Sequence, residues 1–305
     1  MKFCSFSAAG VKRFGVIPED GIFIDLKTAV LSLTEKGDVS LRGLNVAASL
    51  KQWFELGDAA IGASHRIIDI FHQDRDLLTN SLFESRDIRL LAPIKNPGKI
   101  MAIGLNYRDH AEEQKASLPE NPRMFAKFPS AVIGPEEPIK IPRISERVDP
   151  EAELCLVVTA GGKDMDQAQA RRSVAFMAGN DVSARDLQFA DKQWVRGKSC
   201  DTFAPCGPYI ATLDEVGDPH DLKIELRRNG EIKQSSSTSR LIFNCWELVE
   251  FITQTSTLFP GDIIFTGTPS GVGVFRDPPE FLEPGDVVEV TIEKLGTLRN
   301  PVVRA

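Results

Sequence analysis

The sequence predicts an α+β protein that is mostly β, with a smaller α/β region at its N-terminus ahead of a larger, strand-rich part. Three observations predict it. Turn cues stand just before apolar runs at Asn229-Gly230, Pro260-Gly261-Asp262 and Pro284-Gly285-Asp286. DVVEVTIEKL, residues 286–295, alternates as a half-buried strand should. Stretches compatible with helix are few in the second part, at 107–116, 164–178 and 244–257.

In chain order, residues 1 to about 92 begin with short strand-like runs (FGVIPEDGIFIDL) and pass into a helical, charge-studded region through Leu90. No residue there carries readable chemistry. LAPIKNPGKIMAIGLNY, with Pro93 and Pro97 ahead of an apolar run at 100–105, reads as a linker entering a buried strand. This places a domain boundary near Pro93, with residues 1–92 as the smaller region and 93–305 as the larger one. There is no internal repeat and no low-complexity tract.

The bulk numbers narrow the function. The chain has 305 residues, 42% hydrophobic and 26% charged, enough to bury a large core. Its net charge of -7 is spread along the chain without a basic tract, which speaks against nucleic acid or an anionic membrane as partner. Lys12 and Arg13 interrupt the apolar start before a signal-peptide core forms, and no apolar run approaches the roughly 20 residues of a membrane span. Cys4, Cys155, Cys200, Cys206 and Cys245 form no C-x-x-C pair and read as reduced thiols, so a cytoplasmic location is expected.

The sharpest local feature is DPEAELCLVV, residues 149–158. On a strand, Glu151 and Glu153 share a face at the mouth of an apolar run. Side by side and partly buried, they must take up a proton, pair with a cation or bind a metal. Left solvated, the same E-x-E is an ordinary strand edge. Asp181, where an apolar segment gives way to NDVSARDLQ, offers a third carboxylate. Ligation by oxygen alone suits Mg²⁺ or Mn²⁺ first and Ca²⁺ next.

His110 and Glu113 lie three apart, so on a helix they share a face and could act as an acid–base pair, although His110 taken alone reads more readily as a structural or surface residue. His65, His72 and His220 sit in charged surroundings and receive no role. TGTPSGVG, residues 266–273, lacks the G-K-[ST] ending of a phosphate loop, so its glycines read as tight turns and close approach to a ligand.

Seven blocks, in order, resemble the fumarylacetoacetate hydrolase family: IGLNYRDHAEE (103–113), MFAKFPSAVIGP (124–135), PEAELCLVV (150–158), NDVSARDLQ (180–188), GKSCDTFAPCGP (197–208), NGEIKQSSST (229–238) and PGDIIFTGTPSGVG (260–273). The resemblance implies that family's mixed β-sandwich or β-roll core from about residue 98 onward, and a homodimer. It implies Glu151, Glu153 and Asp181 as metal ligands, and His110 with Glu113 as the groups that handle protons or activate water. Lys198 would face the same pocket, with Arg185, Gln188 and Thr268 as substrate-binding residues. Cys200, where many relatives have an aromatic residue, and Pro150, where a tyrosine is common, depart from the pattern and bear on substrate more than on metal. Relatives include acylpyruvate hydrolases, oxaloacetate decarboxylases, diketo-sugar-acid hydrolases and isomerases.

The expected activity is therefore metal-dependent hydrolysis of a C–C bond in a small β-diketo acid, acylpyruvate-like or a diketo sugar acid. Decarboxylation or isomerisation of a 2-oxo dicarboxylate such as oxaloacetate is the alternative. A non-catalytic cation-binding scaffold is the remote one.

Overall fold

The computed structural model describes residues 1–305. Its main feature is a twelve-stranded sheet. From one edge the order is Leu82–Glu84, Ile22–Asp25, Val11–Glu19, Lys2–Ala8, Ala204–Ala211, Val174–Asn180, Ala152–Val158, Ile263–Phe265, Ile100–Gly104 and Arg123–Lys127. Ile88–Leu91 joins Lys2–Ala8 and Val132–Ile133 joins Ala204–Ala211 off this path. A five-stranded sheet, Glu231–Ser237, Lys223–Arg228, Val287–Ile292, Gly296–Arg304 and Ile139–Ile141, packs over the central strands. No helix is long and apolar enough to cross a membrane.

Local chemistry explains several of these pairings. Asn229 and Gly230 take left-handed φ of 54° and 82° and join paired strands through Arg228 and Glu231, the tight hairpin the dipeptide predicts. Val287–Ile292 buries alternate residues, as its sequence pattern requires. Ala152–Val158 and Val174–Asn180 are buried at every position because the second sheet and flanking helices cover both faces.

Two expectations about secondary structure are corrected. The helix expected over 164–178 ends at Ser173, after a capping box between Asp166 and Gln169, and Val174–Asn180 is a strand. A short, wholly apolar run has no period to tell helix from strand. Pairing between Ala152–Val158 and Ala204–Ala211 decides it. The helical region expected through Leu90 stops earlier: helices at Leu26–Glu35, Leu50–Glu55 and Asp58–Gln73 are followed by a 3₁₀ stretch and the strands Leu82–Glu84 and Ile88–Leu91.

The sheet runs without a break across residue 93. Lys2 and Phe3 pair with Ala211 and Ile210, and the Met1 ammonium donates to Thr212 Oγ1, Asp214 and Glu215. One apolar core includes side chains from both sides of that point. Phe3 meets Phe54 edge-on at 5.2 Å, both fully buried. Each such buried aromatic contributes on the order of 1.5–3 kcal/mol to folding. Four of the five cysteines are buried and none is in a disulfide.

Candidate metal centre and active site

The site forms where two central strands end side by side. Ala152 pairs with Asn180, which sets Glu151 beside Asp181; the Asp181 N–H donates to the Glu151 carbonyl at 2.9 Å and the Asn180 side chain accepts the Glu151 N–H at 2.9 Å. Glu151, Glu153 and Asp181 are all buried, with one oxygen of each within 4.8 Å of the others. The three predicted ligands are thus in one place.

Their buried partners divide unevenly. Lys198 Nζ donates to Glu151 and Asp181, each at 2.7 Å. Lys127 Nζ donates to the other oxygen of Asp181. Arg185 bonds Glu151 at 2.6 Å, Asp149 at 2.9 Å and Gln188 Oε1 at 3.0 Å. Glu153 has no cation; it accepts only the Gly267 N–H, at 2.6 Å.

The electrostatics follow. Burial pushes the Glu151 carboxyl up, but Lys198 and Arg185 outweigh it and hold the group well below the carboxylate range. For Glu153, burial and then the charges of Asp181 and Glu151 push the carboxyl well above that range. Burial works against the Lys198 ammonium, yet Asp181 and Glu151 raise it overall. Lys127 is lowered, burial prevailing over Asp181.

An oxygen-only donor set containing one buried acid without a cation fits a hard divalent ion. Glu151, Glu153 and Asp181 would hold it. Four buried carboxylates, with Asp149, stand against three buried cations, Lys127, Lys198 and Arg185. With all four ionised, a divalent ion in place of the Glu153 proton would turn that deficit into a single positive charge, which suits an anionic ligand.

His110 and Glu113 lie on the helix Arg108–Glu113, as their spacing predicts. Glu113 Oε2 faces His110 Nδ1 at 2.9 Å and Gln114 Nε2 faces His110 Nε2 at 2.6 Å. A carboxylate only accepts and the Gln114 nitrogen only donates, so these partners assign the proton to Nδ1 and leave a lone pair on Nε2. Nε2 is the unprotonated nitrogen of the ring in this arrangement.

The glycine-rich run closes the site with its backbone. N–H groups of Gly267, Gly271 and Gly273 donate to Glu153, Glu113 and Asp149 respectively, at 2.6, 2.9 and 2.8 Å. Gly267 has φ of 105°, and a Cβ there would stand 2.8 Å from the Asn106 Cβ. Thr268 Oγ1 accepts from Gln234 Nε2 at 2.8 Å.

A cavity of about 110 Å³ opens above the acids, lined among others by His110, Gln114, Arg123, Lys198 and Thr268. Arg185 and Gln188 line it too, though Arg185 is already bonded to the acids. Gly104 leaves room at the wall for the Trp194 ring, since a Cβ there would lie 2.5 Å from it. Sequence reasoning gave no role to Asp149, Lys127, Gln114 or Arg123. The alternation of Arg123, Phe125 and Lys127 was the available signal for two of them.

Residues 99–303 match the family described as fumarylacetoacetate (FAA) hydrolase C-terminal. The chain belongs to that family. Its relatives within the family include oxaloacetate tautomerase fahd2, mitochondrial, of Xenopus laevis, 42% identical over 87% of this chain and 82% of that protein. Oxaloacetate tautomerase FAHD2A, mitochondrial, of Bos taurus is 48% identical over 71% of this chain and 70% of its own. Several solved structures cover all of this chain, and two of them illustrate the likeness. Fumarylacetoacetate hydrolase of Exiguobacterium antarcticum gives a TM-score of 0.81 at 33% identity over 100% of its length. 5-carboxymethyl-2-hydroxymuconate delta-isomerase of Mycobacterium smegmatis gives 0.75 at 34% over 99%. These likenesses confirm the mixed fold and make the chain a member of an enzyme family.

Proposed function

We propose that this chain is a metal-dependent tautomerase of a small 2-oxo dicarboxylate, with oxaloacetate the foremost substrate. The observation that carries this is His110, held by Glu113 and Gln114 with its Nε2 lone pair at a small cavity walled by the acid cluster. The relatives named oxaloacetate tautomerase support the choice. This reverses the order expected from the sequence, where hydrolysis came first.

A bound Mg²⁺ or Mn²⁺, with Ca²⁺ accommodated by the same oxygens, would supply a Lewis acid that polarises the 2-oxo group. The chain does the rest. Lys198 and Lys127 keep Asp181 in place, and Arg185 keeps Glu151 in place. Substrate entry displaces the Gln114 amide from His110. Nε2 then takes the C3 proton and returns it to the substrate oxygen, while Glu113 steadies the imidazolium through Nδ1–H. One C–H bond breaks and one O–H bond forms.

A second reading is hydrolysis of an acylpyruvate, favoured by the structural relative named as a hydrolase; there the same base would activate a water. Following the enol absorbance of oxaloacetate with and without Mg²⁺, beside acylpyruvate cleavage, separates the two. Mg²⁺-dependent tautomerisation that falls roughly 100-fold in His110→Ala is expected. Acylpyruvate cleavage with no effect on oxaloacetate would overturn the proposal. A cytoplasmic homodimer is proposed as its working form, and light scattering on the purified protein reads the assembly.

A further inference from the structure

We infer that Arg123 selects the substrate by binding its distal carboxylate, so that the site prefers dicarboxylates to monocarboxylates. The inference rests on the tautomerase reading above. Arg123 opens the strand Arg123–Lys127, in which alternate residues share a face. Lys127 is at the deep end, bonded to Asp181. Phe125 comes next, lining the cavity with the Lys198 ammonium 5.3 Å from its ring centre. Arg123 is last, about 13 Å along the strand from Lys127, exposed at the rim between this cavity and a shallow outer pocket with Met124, Lys192 and Trp194.

Among the cations lining the cavity, Arg123 is the one without a partner. Arg185 and Lys198 are each shared between two acids. Arg123 makes no ion pair and no side-chain hydrogen bond. The charge balance points the same way. With Glu113 counted beside His110, the cluster and a divalent ion would be neutral together, so Arg123 supplies the one uncompensated positive charge at the cavity, which a carboxylate reaching the rim would cancel. A monocarboxylate leaves the guanidinium unmatched. A guanidinium at the rim also offers the planar fork that a carboxylate accepts in two bonds.

The test uses full-length, Mg²⁺-loaded protein and calorimetric titration with two ligands. Oxalate is short and engages the metal end only. 3,3-Difluoro-oxaloacetate has both carboxylates of the substrate and no transferable C3 proton. In Arg123→Gln the difluoro compound should bind about 10-fold more weakly or worse, the loss expected for a charged hydrogen bond. Oxalate binding should be unchanged, Arg123→Lys should recover part of the loss, and the KM for oxaloacetate should rise in parallel. If Arg123→Gln binds the difluoro compound as tightly as wild type, or loses oxalate equally, the role of Arg123 is overturned and the tautomerase reading stands. If Mg²⁺-loaded wild type binds neither ligand, that reading falls, and this inference with it.

Discussion

The Gly267 N–H donates to Glu153 Oε2 over 2.6 Å, and it is the only hydrogen bond that carboxylate receives. Gly267 holds φ of 105°, which L side chains rarely adopt. Gly267→Ala should therefore displace the loop and misplace Glu153, weakening Mg²⁺ affinity by about 10-fold or more while the far-ultraviolet spectrum stays native. Titration calorimetry measures it. Wild-type affinity in this variant would show that Glu153 needs no such support.

Glu153 also sets a pH signature. Burial and the neighbouring carboxylates raise its carboxyl well above the usual range in the folded protein. A raised acid holds its proton longer folded than unfolded, so metal-free protein loses stability as pH climbs through and above the ordinary carboxylate range. A divalent ion takes the place of that proton. The rise in melting temperature produced by Mg²⁺ should accordingly be larger at pH 8 than at pH 5.5. An equal rise at both would place the ion away from Glu153.

Glu113→Gln keeps a side-chain oxygen for the Gly271 N–H but removes the charge facing His110. The imidazolium formed in proton transfer then lacks its counter-charge. Turnover of oxaloacetate between its tautomers should drop about 10- to 100-fold, with Mg²⁺ affinity little altered. Stopped-flow enol absorbance and calorimetry on one preparation give both numbers.

Lys127 is buried, and its removal leaves Asp181 with Lys198 alone. Breaking one side of a buried ion pair typically costs about 3–5 kcal/mol. Lys127→Met should show a loss of that order in denaturant unfolding without metal, and a smaller one with saturating Mg²⁺. A loss below about 1 kcal/mol would mean that the pair contributes little.

Deleting residues 1–92 removes the strand paired to Ala204–Ala211 and uncovers that part of the core. The remaining chain should melt lower or aggregate, as differential scanning calorimetry and light scattering would show. A truncated protein melting at the wild-type temperature would show that the shared sheet adds little.

What the sequence discloses depends on how far apart the interacting residues are. Glu151 and Glu153 are legible because a strand has period two, and His110 with Glu113 because a helix brings every third residue round. Asp181 is legible as a carboxylate at the end of an apolar run, but its place beside Glu151 needs the pairing of Ala152 with Asn180, 28 residues apart by number. The strand character of Val174–Asn180 was hidden because its apolar run is continuous. Lys127 is hard to foresee because a lysine is ordinarily a surface residue; only the acids gathered from other strands make its burial tolerable. The joining of Lys2–Ala8 to Ala204–Ala211 left no local trace at all.

The backbone ties from Gly267, Gly271 and Gly273 have a consequence for how such a protein can diversify. Because main-chain groups make them, many side-chain replacements in the loop leave them intact, whereas an insertion of one residue would throw at least one acid out of step with the others. Heritable change that preserves the metal seat and the base is thereby steered away from loop length and toward side chains that no tie constrains. Arg123 is one such position, and new substrates would be gained or lost there while the chemistry beneath stayed the same.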